Sequence, residues 1–206
     1  MPVNTVLFDA AIEAQLDSDR AASSISLEVL GIIKKMQSEL VAKLESGKIT
    51  EWGKRRINAQ LKDADAYIKS NYANIAALSI SATSDIGIVV ASAASEALSA
   101  AVGGMVQVSA LPTAAYMETL AGNTILQGAI QADWWSRQTL DMQWKFRSAV
   151  RQGLVASETN QQIIKRVKDS IEIARFSAET LVITSAQAVA NEARAQVFKD
   201  NIDIMA

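Results

Sequence analysis

Apolar side chains recur at Ile25, Val29, Ile32, Ile33, Met36, Leu40 and Leu44, in steps of three and four, within a stretch free of helix breakers from about Thr5 to Ser46. That spacing predicts one long helix with a single buried stripe. The segment "ESGKIT" then supplies a glycine turn, Thr50 is placed to cap a second helix, and Ile57, Leu61, Ala64, Ile68, Tyr72 and Ile75 carry the same period onward. Residues 1–75 are therefore expected to form an N-terminal α-hairpin.

The pattern changes at Ala76. From there to Ala110 the chain is rich in Ala, Ser and Val, apolar on every side and low in side-chain volume. A helix of this kind is expected to be buried among neighbours, because Asp85 and Glu96 interrupt the uncharged run that a membrane span of roughly 20 residues needs. Gly103-Gly104 should end it, and "LPTAA" should open a short helix with Pro112 near its first turn. After the turn signal "AGNT", a helix is expected from about Ile125 to Gln152, with Gly153 as its C′ residue and Ile130, Trp134 and Trp144 marking the buried side.

Thr159 and Gln162 fit a capping box, with Ser157 as a rival cap, ahead of a short helix carrying Ile163, Ile164, Val167 and Ile171. A last helix is expected over about Ala174–Asn201, with an apolar stripe through Val182, Ala186, Val189, Ala193 and Val197. Thr180, Thr184 and Asn191 share one side of that helix. They are expected to form a polar packing seam that docks onto the preceding short helix or onto a partner subunit, with Thr184 bonding back to Thr180 and Asn191 and Arg194 reaching carbonyls near Gly153.

Two prolines, nine glycines and sparse aromatics in 206 residues agree with the helical periods. The fold expected is all-α: an elongated bundle of long and short helices without disulfides or metal. Its segments are 1–75, 76–124 and 125–206, in one continuous domain. There is no cysteine and no histidine, so thiolate chemistry, imidazole ligands and the usual neutral-pH base are absent. Phosphate-loop, dinucleotide, zinc-protease and hydrolase-elbow motifs are also missing. Neither catalytic residues nor cofactors are expected, and the chain is not expected to be an enzyme. The N-terminus lacks the pattern of a secretory signal.

Net charge is only −2, but its distribution is uneven. Residues 71–136 hold no basic side chain, whereas residues 137–168 hold seven against two acidic ones. Arg147, Arg151, Lys165, Arg166 and Lys168 are the candidates for sequence-independent DNA contact, which requires only clustered cations. Tryptophans in "DWWSRQTLDMQWKFR" lie beside them, either as a base-stacking surface or, the plainer reading, as core residues with basic stems over them.

The order "GKITEWGKRRI", "AGNTILQGAIQADWWSRQ", "FRSAVRQGLVASETNQQIIKRVKDS" and "RFSAETLVITSAQAVANEARAQVFKDN" resembles the tailed-phage minor head proteins of the Mu F-like head morphogenesis family. Its specific part is Phe146 to Asn201, where Gly153, Ser157, Arg175, Thr180, Thr184, Asn191 and Arg194 fall on the family pattern as packing positions. Ser185 departs from it, since many members have a Thr-Glu pair at Thr184-Ser185. The resemblance implies a structural head component made in the host cytoplasm and present in several copies in the virion. It would dock on the portal or major capsid protein at the portal vertex or procapsid interior, with packaged DNA as a further contact. Alternatives from the residues alone are an ejected, membrane-active internal protein and a non-specific DNA-binding helical module; a membrane partner is not expected.

Overall fold

The computed structural model describes residues 3–47, 50, 53–103, 108 and 111–205, which are helical nearly throughout. The helices are α1 (Val3–Gly47), α2 (Lys54–Ala101), α3 (Ala114–Asn123), α4 (Gln131–Val155), α5 (Asn160–Asp200) and α6 (Ile202–Met205). A two-stranded hairpin, β1 (Ile125–Leu126) and β2 (Ala129–Ile130), lies between α3 and α4. The all-α class and the long N-terminal helix pair are as expected.

Several boundaries differ. The second helix of the hairpin and the Ala/Ser-rich segment are one 48-residue helix, and the two C-terminal helices are one of 41 residues. Neither junction contains proline or glycine, and the buried stripe of α5 runs unbroken from Ile163 to Val197, so nothing stops the ladder of hydrogen bonds. α2 begins at Lys54 rather than directly after Thr50, and α3 is capped by Thr113, whose Oγ1 accepts from the Tyr116 amide at 3.2 Å, leaving Pro112 outside the helix. Gly103, with φ of 68°, ends α2 as expected; Gly104 and the turn residues Lys48 and Ile49 lie outside the described residues.

Residues 125–130, expected to be helical, instead pair antiparallel, Ile125 with Ile130 and Leu126 with Ala129. The two residues between them, Gln127 and Gly128, both have positive φ (48° and 85°), which is the type I′ turn that suits a two-residue hairpin.

The chain forms two compact units built from non-contiguous segments. Residues 1–26, 78–131 and 181–206 make the first, and residues 27–77 and 132–180 the second. Two borders of this division, after residues 77 and 131, fall near the segment boundaries expected at 75 and 124, and those after 26 and 180 lie inside the long helices α1 and α5. In the first unit small residues dominate. Ala22, Ile86, Val90, Ala186 and Ala190 pack together, and so do Ala91, Ala94, Met117, Ala193 and Val197. Gly87 is part of this seam: a Cβ there would lie 3.2 Å from Val189 Cγ1 and 3.3 Å from Met117 Sδ. Ser79 is buried in the same unit, where its Oγ accepts a 2.6 Å hydrogen bond from Gln131 Nε2. By length and composition α2 could cross a membrane, but 44% of its most apolar window is buried within this fold.

The second unit has the larger side chains. Ile33, Met36 and Leu40 of α1, Ile68 and Tyr72 of α2, Trp135 and Met142 of α4, and Ile163 and Val167 of α5 are all buried. Tyr72 and Trp135 lie with ring centroids 6.4 Å apart at 55°, a tilted aromatic pair. Burial pushes the Tyr72 phenol well above its ordinary range. Trp135, not Trp144, is the tryptophan that anchors this core; Trp144 is 66% exposed and Trp134 is partly buried.

Candidate functional site

The five cations singled out from sequence all fall in the second unit, on the end of α4 and the start of α5. The connection between these helices sets their geometry. α4 does not stop before Gly153 but continues to Val155, and Ser157 takes the left-handed conformation with φ of 54°. The Ser157 amide donates to the Leu154 carbonyl (3.2 Å) and the Glu158 amide to the Gly153 carbonyl (2.9 Å), the two bonds of a Schellman cap. Ser157 therefore occupies the C′ place expected of Gly153. Gly153 has a different role. A Cβ on it would lie 2.5 Å from Ile163 Cγ1 and 2.8 Å from Glu158 Oε2, so only glycine lets α5 pass this close.

The capping box forms as expected: the Thr159 amide donates to Gln162 Oε1 at 2.8 Å, and the Gln162 amide reaches Thr159 Oγ1 at 3.4 Å. Ser157 is not the cap.

Two of the five cations are tied down by carboxylates. Arg147 forms an ion pair with Asp65 of α2, whose side chain is largely buried, and Gln143 Nε2 donates to the Asp65 carbonyl at 2.9 Å beside it. Arg166 makes a two-pronged pair with Glu158, and that hydrogen bonding holds the Glu158 carboxyl below its ordinary value and raises the guanidinium. Lys145 in addition pairs with Asp141 at 2.6 Å. Arg151, Lys165 and Lys168 are exposed, and the main-chain carbonyl of Lys168 accepts from Gln37 Nε2 at 3.3 Å. Thus the structure separates the five into Arg147 and Arg166, which fasten helices, and three cations that face solvent.

Within the chain, the polar side expected to pack on α5 is not covered. Thr180 and Asn191 are exposed, and the Thr180 hydroxyl donates to the Phe176 carbonyl of its own helix at 3.0 Å. The buried polar residue of this region is Ser185, 1% exposed, whose hydroxyl donates to the Leu181 carbonyl at 2.7 Å. The helix packs along the Val182, Ala186, Val189 and Ala193 stripe, and the hydroxyl that shares that face is the one at 185, one residue beyond Thr184. Arg194, partly buried, lines a small pocket with Leu7, Ala97 and Phe198 in the first unit, and Gly153 belongs to the second unit. Arg175 pairs with Glu172 on its own helix at 2.8 Å.

Among the described residues no cluster of acidic side chains is arranged to hold a metal ion. A depression of about 330 Å³ is an open groove between α1 and α2 in the first unit, with Asp17, Ser18 and Asp85 among its lining residues. No protein-family model, curated protein or solved structure matches this chain.

The sequence reading missed two exposed apolar stripes. Phe8, Ile12 and Leu16 on α1 and Leu140, Trp144 and Val155 on α4 are all exposed, some of them more than half. The steps of four from Phe8 to Leu16 and of four and eleven from Leu140 to Val155 are visible in the sequence, but periodicity does not distinguish a stripe facing the core from one facing solvent.

Proposed function

We propose that this protein is a structural, minor head component of a tailed bacteriophage, which docks at the portal vertex or inner capsid surface through exposed helix faces. The observation that carries this reading is the pattern over Phe146 to Asn201 that resembles the Mu F-like head morphogenesis proteins. Large apolar side chains left open on two helices support a docking role, because single soluble domains rarely leave such stripes uncovered. The Arg147–Asp65 pair, which ties α4 to α2, and the Arg166–Glu158 pair, which ties the α4–α5 connection to α5, suit a rigid assembly part. Cryo-EM of assembled heads, with a pull-down against the portal and major capsid proteins, tests the proposal. Finding the protein in purified procapsids supports it, and its absence from both procapsids and virions refutes it.

A second reading, contact with packaged DNA, rests on the exposed Arg151, Lys165 and Lys168 near exposed Trp144. Phosphate binding by these groups would fall steeply with added salt. Changing only these three to Ala isolates them from the two helix-fastening arginines. Unchanged duplex binding at low salt would remove this reading.

A further inference from the structure

The first half of α1 is built inside out. Ala14, Ser18 and Ala22 are buried, whereas Phe8, Ile12 and Leu16, at steps of four, are 66%, 44% and 49% exposed. A helix whose only apolar duty is its own core places its large side chains inward. Asp9 and Glu13 are exposed on the same outer side of this stripe. α4 shows the complementary case. Leu140, Trp144 and Val155 are 64%, 66% and 87% exposed, and exposed Arg137 and Arg151 share that side with Asp133, while Asp141 at its flank is paired with Lys145. The wider surroundings follow suit: the first unit has ten acidic and three basic residues, the second twelve acidic and seventeen basic.

We propose that the acidic, apolar stripe of α1 docks onto the basic, apolar stripe of α4 in a second copy of this chain. Charge complementarity selects this occupant. Pairing α1 with α1 or α4 with α4 would oppose like charges, which excludes the two symmetric alternatives. An anionic membrane would be repelled by Asp9 and Glu13, and a nucleic acid would account for the α4 stripe while leaving that of α1 uncovered. Because the two docking stripes differ, the contact is heterologous and continues past the dimer, into a ring where the rotation closes and a filament where it does not. This inference stands apart from the head-protein reading, since it rests only on two surfaces of the chain.

Sedimentation velocity of the nuclease-treated full chain over a range of concentration and salt tests it. The expected result is a series of species beyond the dimer that dissociates as salt rises. Asp9→Lys with Glu13→Lys in one variant, and Arg137→Glu with Arg151→Glu in another, should each weaken self-association by about tenfold or more. Trp144→Ala should weaken it by about thirtyfold. Mixing the two charge-reversed variants restores opposite charges at both contacts, so the mixture should associate although each alone does not. Circular dichroism of each variant verifies that helicity is retained. A wild-type chain that stays monomeric at every concentration, or assembles only with nucleic acid present, overturns the proposal. So does a mixture of folded variants that fails to associate.

Discussion

Gly153→Ala gives the sharpest test of how α4 meets α5. In an exposed helical position, replacing Gly by Ala stabilises by about 1 kcal/mol through backbone entropy and helix propensity. Gly31 of α1 is such a position, with nothing within 4 Å of the added methyl. At Gly153 the same methyl would come 2.5 Å from Ile163 Cγ1, where carbon atoms normally keep roughly 3.5–4.0 Å apart. Ile163 is fully buried, so its side chain cannot move aside freely, while Glu158 Oε2, at 2.8 Å, ends a partly exposed side chain that can give way only by disturbing its pair with Arg166. Overpacking of this kind costs about 1–3 kcal/mol, which outweighs the propensity gain. The expected net loss is up to about 2 kcal/mol, a fall in Tm of up to about 8 °C for a chain of this size, against a rise of a few degrees for Gly31→Ala. Thermal unfolding followed by circular dichroism measures both. A double-mutant cycle with Ile163→Ala should give a coupling that partly offsets the two single losses. Had Gly153→Ala raised Tm as Gly31→Ala does, the close approach of the helices would be wrong.

Ser157→Gly should stabilise by about 0.5–1 kcal/mol, because Ser157 holds a left-handed φ of 54° that glycine adopts without penalty; an unchanged or lower Tm would count against the Schellman cap. Ser185→Glu should destabilise by several kcal/mol, since it places an unpaired charge at a position 1% exposed. Denaturant titration at neutral pH reads this loss, and wild-type stability would show that the α5 face is open. Glu158 offers a pH test. Its folded carboxyl titrates below its ordinary value because of Arg166, so the pair's contribution is present above the unfolded carboxylate pKa and is lost as pH falls through the folded one. In Arg166→Gln the Glu158 midpoint should rise in an NMR titration, and an unmoved midpoint would refute the pairing.

The periodic spacing of apolar residues along this sequence was enough to establish most of the helices, the buried stripes of α1, α2 and α5 and the Thr159–Gln162 capping box, since these depend on neighbours three or four residues apart. The absence of His and Cys likewise narrowed the available chemistry without reference to any fold. Tertiary structure decided the rest. Gly153 looked like a helix terminator, but its value comes from Ile163, ten residues on, while Ser157 supplies the left-handed turn. Arg147 and Arg166 looked like free cations until Asp65 and Glu158 were placed beside them. The Thr180, Thr184 and Asn191 alignment was geometrically correct, yet the side of α5 that is covered lies elsewhere. A sequence records which residues share a side of a helix; whether that side meets core, solvent or a second chain depends on what long-range packing brings against it.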